Sequence, residues 1–421
     1  MVSKLNRFHS IWPIILVALS LRVVAALYWE AQIEEGQNFR FGDSEGYWQL
    51  AIRIAEGESY EYNSSYAKVF RTPGYPLFLS GFILAGVQSA LAVRLVGAVL
   101  GAISVGLIYA ISRTLFRDRV AWFAGWIACF YPGAVAISIL VLAEMLFVPL
   151  MLLQFLSAIL AFQSPCPNRR RIHGLVSGFC FGLACLTRPS WILFLPFSLL
   201  LGLLFYPERK KQLVLAGATL LMTLLVMAPW WVRNYSVTGK FVLTSLQTGA
   251  SLYDGLNPVA DGSSDMRFAP RMKSEYLKRW KAEGGANYEF EYAFNQFLTR
   301  EAIQWALQNR VRTLELMAIK FRRIWTPLPN SREMGSPLIR YLVGLYFLPL
   351  IGMALIGAWE QRKQFLPVWI CLLPAIYFTG LHMVFVGSIR YRQPPMMTLL
   401  IFAAVMLAKG FPGKNHSEGE V

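Results

Sequence analysis

Charge is what this sequence has little of. Asp, Glu, Lys and Arg make up 15% of its 421 residues, against roughly 25% in soluble domains. A soluble globular body is therefore excluded. Acids are scarcer still, 24 against 40 Lys and Arg, for a formal net charge of +16. That surplus is not a nucleic-acid footprint. No basic face interleaved with aromatics stands on a polar domain, and membrane proteins gather Lys and Arg in their cytoplasmic loops. Cysteine is also sparse: Cys129, Cys180, Cys185 and Cys371 lie in apolar segments and Cys166 in a short basic loop. No disulfide framework can staple the long polar loops with that distribution. The four histidines, His9, His173, His382 and His416, are scattered. With no HExxH and no cysteine pair at zinc spacing, nothing in the sequence calls for a dedicated structural metal site. Nor is there an internal repeat of the kind that builds transporters from inverted halves.

What fills the chain instead is oil. Hydrophobic residues make up 56%, in runs of bilayer-crossing length, about 17–25 residues each. The expectation is an all-α polytopic membrane protein, since spanning backbone must pair within helices. Runs fall near 11–29, 92–113, 120–138, 145–163, 172–187, 190–206, 212–231, 338–358, 365–386 and 393–408. The first follows Lys4 and Arg7 as a signal peptide would. It is too long for one, contains Arg22 and lacks a small-x-small cleavage site, so it reads as an uncleaved first span. Arg22, well inside that span, needs an internal partner.

Basic loops set the topology. Arg113/Arg117/Arg119, Arg169–Arg171, Arg209–Lys211 and Arg362/Lys363 join Lys4, Arg7, Lys409 and Lys414 on one side. The positive-inside bias makes that side, and both termini, cytoplasmic. Residues 74–89, opened by Pro73 and Pro76, are marginal for a span. Read as a re-entrant or interfacial helix, they keep every basic loop inside, giving ten spans, or eleven if they cross. Three regions follow: 1–231, a transmembrane module with the first external loop 30–72; 232–337, an external cap; and 338–421, the last helices and tail. The first loop carries eight acids against four bases. In the cap, 254–265 is polar and turn-rich. Residues 288–325 show apolar residues at helical spacing: Phe294, Phe297, Ile303, Leu307, Val311, Leu314, Ala318, Phe321 and Trp325. Two or three amphipathic helices are expected there, on the membrane surface or over the bundle.

This topology gathers Asp43, Arg71, Arg94, Glu144, Arg188, Trp230, Trp231, Arg233, His382, Arg390 and Arg392 near the outer face. Charges at membrane depth are costly and mark function. Taken singly each has a plainer reading. Asp43 could be a helix N-cap, Glu144 a snorkelling residue, any one arginine a lipid-phosphate contact, and His382 a packed side chain. Together they describe a site where an anionic, partly apolar substrate meets water. Three sequons, at Asn63, Asn234 and Asn415, carry no inference.

Four stretches also resemble a known family. Asp43-Ser-Glu-Gly-Tyr47, just past the first span, is similar to the D-x-x-x-Y segment of C-type (GT-C) membrane glycosyltransferases of the family 39 type. That type includes protein O-mannosyltransferases and aminoarabinose transferases acting on lipid A. Arg71-Thr-Pro-Gly-Tyr-Pro76 resembles that family's basic segment before a short helix. Tyr131-Pro-Gly133 followed by Glu144 resembles its proline turn and second acid. Arg390-Tyr-Arg-Gln-Pro394 resembles the R-Y-x-x-P at the mouth of a late helix. Two details depart from the pattern: Thr72 separates Arg71 from proline, and the second acid is Glu rather than Asp.

The resemblance implies a GT-C-type helical bundle in a cell inner (plasma) membrane. It implies transfer of a sugar from a polyprenyl-phosphate donor to a lipid, glycan or protein acceptor on the external face. The residue types suit that chemistry. Asp43 is the candidate general base, a role worth about 10²–10⁴-fold, with Glu144 as a second acid. Arg71, Arg188, Arg390 and Arg392, with Tyr47 and Tyr391, are candidate substrate ligands, because guanidinium groups suit a phosphate leaving group. No metal ligand is assigned; a divalent cation between two carboxylates is conceivable but not required. A flippase or a polysaccharide polymerase or ligase would use similar grooves. The first should show inverted repeats, and the second should carry its chemistry in the large late loop.

Overall fold

The computed structural model describes residues 10–34, 37–206, 208–329 and 337–410. Lys4, Arg7, His9, Lys414, Asn415 and His416 lie outside them. Eighteen α-helices are present among the described residues. The first two are α1 (Trp12–Glu30) and α2 (Gly42–Ala55). Next come α3 (Gly74–Leu84), α4 (Ala90–Leu115), α5 (Asp118–Phe130), α6 (Pro132–Ile139), α7 (Glu144–Gln163) and α8 (Pro167–Thr187). Then follow α9 (Phe194–Phe205), α10 (Arg209–Thr238), α11 (Thr248–Gly255), α12 (Phe268–Ala282), α13 (Phe290–Gln308) and α14 (Arg310–Trp325). The last are α15 (Pro337–Gln361), α16 (Phe365–Cys371), α17 (Leu373–Val384) and α18 (Ile389–Gly410). Among the described residues seven spans are long and apolar enough to cross a bilayer, eight if the bent pair α5–α6 is counted as one. Two further expected spans look different. Residues 172–187 lie in α8, about 31 Å long at 1.5 Å per residue, whose opening arginines lower its apolarity. Residues 190–206 form a 3₁₀ turn, Pro189–Trp191, followed by the 12-residue α9. The helix α3, with 11 residues, is about 17 Å long and too short to cross.

The expected single span at 120–138 is broken. The chain bends by 58° between α5 and α6. Pro132 opens α6 because it has no N–H to donate and its fixed φ suits a first helical position. The carbonyls freed at the end of α5 take a donor from elsewhere. Arg22, fully buried, donates to the carbonyls of Ala128 (3.3 Å) and Cys129 (3.4 Å) and to Ser138 Oγ (3.1 Å). Its internal partner is thus the helix break, with no carboxylate involved.

The core runs along α18, almost wholly buried from Gln393 to Val405. It continues through a knot of aromatics around Trp191, which stacks on Phe194 at 4.0 Å and on Phe378 at 5.3 Å. The buried Trp191 N–H finds Gln154 Oε1 at 2.9 Å, as a buried indole requires. Gly74 lets α3 begin against the end of α8: a Cβ there would sit 2.7 Å from the Leu186 backbone.

The cap is built from α11 to α14. Residues 288–325 form two helices, broken at Asn309. The expected stripe is not the buried face. Ile303, Leu307, Val311, Leu314 and Phe321 are exposed, while Phe290, Leu298, Ala302, Leu316 and Ile324 are buried. The break rotates α14 relative to α13, so a stripe continuous through both cannot face the bundle throughout. The buried face also carries two charged residues, Glu291 and Lys320, and these tie the cap down.

Candidate active site

Five charged side chains meet where α2, α7, α18 and the end of α8 converge. Asp43 lies in the first turn of α2. It is not the N-cap, which is Phe41, a residue that makes no side-chain capping bond. The Asp43 carboxylate turns inward instead: Arg71 Nη2 donates to Oδ1 at 2.6 Å and Arg390 Nη1 to Oδ2 at 2.8 Å. Glu144, the first residue of α7, is 1% exposed and cannot be snorkelling. It accepts Arg390 through two parallel bonds, Nε to Oε1 at 2.6 Å and Nη2 to Oε2 at 2.9 Å. Arg188 Nη1 adds a third, at 2.6 Å. Arg390 therefore bridges both acids. Arg71 also donates to the Tyr47 hydroxyl at 3.1 Å and lies over its ring. Arg188 packs over Tyr391, whose ring stacks on His382 at 3.8 Å.

Other expected members lie apart. Arg392 is turned away from the acids; it donates to the carbonyls of Ile324 (3.1 Å) and Thr326 and stacks on Phe347. Buried to 1% exposure, it is a pin between α18 and the cap. Arg94 pairs with Glu30. Arg233 donates to the Lys68 carbonyl at 2.7 Å, and Trp230 and Trp231 hold the carbonyls of Thr244 and Leu243.

Two cap residues that sequence reading passed over position the arginines. Glu291 accepts the backbone N–H groups of Lys68 (2.8 Å) and Val69 (2.9 Å), fixing the extended stretch that leads to Arg71. Lys320 Nζ donates to the carbonyls of Gly255 and Val384, both at 2.8 Å, just before the turn into Arg390. The only sequence signal for either was a charge on a helix otherwise reading as an apolar stripe.

The cluster separates two cavities. One, of about 490 Å³, is lined by Arg71, Arg188, Leu193, Phe241, Ser245 and Gln247 among others. The second, of about 380 Å³, is lined by residues 386–393, by apolar side chains of α6 and α15, and by the cap residues Ser263, Ser264 and Arg323; Arg392 also borders it. Asp43, Glu144, Arg390 and Tyr391 line both. The Arg71 guanidinium, beside Asp43, together with Arg390 holds the Asp43 carboxyl well below the usual carboxylate range despite its burial. The carboxylate is therefore ionised at any physiological pH. As a metal site the cluster fits poorly. Among the described residues no three His, Cys, Asp or Glu side chains gather to hold an ion. The two acids present have a guanidinium between them, and three arginines nearby disfavour a divalent cation. The same arginines favour an oxyanion.

These features define a class: a multi-pass helical membrane protein with the GT-C fold and a guanidinium–carboxylate cluster at one end of its bundle. Residues 71–232 match the family model described as dolichyl-phosphate-mannose-protein mannosyltransferase. The apo oligosaccharyltransferase of Archaeoglobus fulgidus aligns over 96% of this chain with a TM-score of 0.60 and 14% identity. The oligosaccharyltransferase AglB of that organism, in complex with an inhibitory peptide and a dolichol-phosphate, gives a TM-score of 0.57 at 15% identity. That alignment covers 96% of this chain and 50% of AglB. ArnT from Cupriavidus metallidurans bound to undecaprenyl phosphate gives 0.49 at 12% identity, covering 95% of this chain and 78% of ArnT. No curated protein matches the sequence. The chain spans about half of the archaeal oligosaccharyltransferase, 51% of its length. The fold is that of the GT-C membrane glycosyltransferases, and residues 71–232 resemble the mannosyltransferase family, without singling out family 39.

Proposed function

We propose that the protein moves a sugar from a polyprenyl-phosphate donor to an acceptor hydroxyl at the external face of a cell inner membrane, with its termini in the cytoplasm. The observation that carries this reading is Arg390 held between Asp43 and Glu144 at the junction of two cavities, with Arg71 and Arg188 alongside.

The 490 Å³ cavity, floored by three arginines, takes the donor phosphate. Guanidinium groups fixed in a partly dry site stabilise charge that develops as a bond breaks, and their forks match phosphate oxygens. The 380 Å³ cavity takes the acceptor. In the reaction the acceptor oxygen bonds to the anomeric carbon as the carbon–oxygen bond to phosphate breaks. That electron pair leaves on the lipid phosphate, and the acceptor proton passes to Asp43. The leaving group is already a stable anion, so no general acid is needed. Glu144 does not touch the reacting atoms; it holds Arg188 and Arg390 in place. Tyr47 and Tyr391 orient Arg71 and Arg188 and present ring faces to the sugar. Arg392 acts through the cap.

The test is purified protein in nanodiscs, given a panel of polyprenyl-phosphate sugars and lipid, glycan and peptide acceptors. Transfer by the wild type is expected. With Asp43→Asn, turnover should be lost and donor binding retained. Full activity in that variant would remove the base assignment, and no transfer from any donor would remove the reading.

A further inference from the structure

We propose that Arg390 separates the two cavities and occupies Asp43 until a lipid phosphate draws its guanidinium away. Donor must then bind before acceptor. The inference rests on the donor assignment above and specifies how that site is used.

The argument begins with what covers Asp43. Each of its carboxylate oxygens already accepts a guanidinium, Arg71 at 2.6 Å and Arg390 at 2.8 Å. An acceptor hydroxyl arriving from the second cavity meets a base held by two cations. Arg390 also stands where the cavities meet, since both are lined by it and by the two acids it bridges.

Its two bonds are unequal. Glu144 grips it bidentately and is itself 1% exposed, whereas the Asp43 side chain, bound through one nitrogen, is 37% exposed. The bond that yields is the one to Asp43, and Arg390 pivots on Glu144. The competitor must be an anion, because only a charge-assisted bond replaces one of equal kind. Three guanidiniums face two carboxylates, an excess of one positive charge, which favours an anionic lipid phosphate, whether the donor's diester or the free monoester. A donor is also in reserve: Arg71 Nε is buried without a hydrogen-bond partner. When phosphate takes these groups, Asp43 Oδ2 is released toward the acceptor cavity. A neutral acceptor cannot effect that exchange, which imposes the order.

The experiment uses the full chain in nanodiscs with ¹³C-labelled aspartate and undecaprenyl phosphate as probe. In infrared difference spectra, the carboxylate band absent from Asp43→Asn should shift when the lipid is added. In Arg390→Lys the band should sit near the shifted position without lipid, since one ammonium cannot bridge both acids as a guanidinium does. Lipid binding with an unmoved Asp43 band would overturn the proposal and leave the donor reading standing. Failure of the lipid to bind would overturn both. With a working donor–acceptor pair, a dead-end acceptor analogue should inhibit uncompetitively against donor; random-order kinetics would overturn the proposal alone.

Discussion

Arg390 and Glu144 are joined by two parallel hydrogen bonds, at 2.6 and 2.9 Å, across 246 residues of chain. The pair locks the mouth of α18 to the start of α7 and sets where every other charge in the cluster can stand.

Glu144→Gln keeps the shape and removes the charge. Arg188 and Arg390 then share no acid, and leaving a buried cation unpaired costs about 3–5 kcal/mol. We expect a lower unfolding midpoint in detergent titrations and at least a ~100-fold loss in kcat, the scale of losing one fixed charge-stabilising contact. Unchanged stability in the variant would contradict the role given to Glu144.

Asp43→Asn should lower kcat by about 10²–10⁴-fold, the usual worth of a general base. The KM for donor should not rise, because Arg71, Arg188 and Arg390 remain to hold phosphate and Arg390 has lost Asp43 as a competing partner. Single-turnover rates beside equilibrium donor binding separate the two effects. A loss confined to KM would make Asp43 a ligand.

Glu291 gives a pH dependence. Burial raises its carboxyl from 4.5 to about 7, even though the backbone N–H groups of Val69 and Lys68 favour the ionised form. The folded state thus prefers the protonated acid more than the unfolded chain does. That contribution is full below about pH 4.5 and is lost as pH rises through about 7. Between pH 5 and 8, hydrogen exchange at residues 68–71 should quicken in the wild type. In Glu291→Gln the rate, corrected for intrinsic exchange, should be flat.

Arg22→Met tests the helix break. The carbonyls of Ala128 and Cys129 lose their donor, at about 1–3 kcal/mol for a buried unsatisfied group. We expect lower thermal stability and unchanged donor affinity, because Arg22 lines neither described cavity. Loss of donor binding at full stability would contradict this.

A one-step displacement should invert the anomeric configuration. NMR of the product reports it directly, and retention would point to a covalent intermediate.

Composition and apolar runs announced the membrane class because they depend only on bilayer thickness. Order along the chain was enough to place Asp43, Arg71, Glu144, Arg188 and Arg390 near one face. Which of them touch was not legible. Arg392 sits two residues from Arg390, yet on a helix neighbours at that spacing point apart, and it meets carbonyls of the cap instead. The bend at Pro132 was hidden because both halves are equally apolar and hydropathy records no direction. The cap's buried face was not legible, because the apolar stripe runs on through Asn309, where the helix stops. Glu291 and Lys320 were passed over because only tertiary structure shows a backbone waiting for a charge.

Those two residues also set the terms on which this protein can change. The segments bearing Arg71 and Arg390 come from opposite ends of the chain, and a buried charged side chain of the cap, Glu291 for one and Lys320 for the other, helps tie each to the same lid. A shift of that lid moves both arginines at once. If the proposed function holds, new acceptors can be accommodated by redrawing the lid's outer surface, provided Glu291 and Lys320 stay put. On the proposed function, a binder that wedges beneath α13 and α14 would disarm the phosphate site by moving Arg71 and Arg390 together.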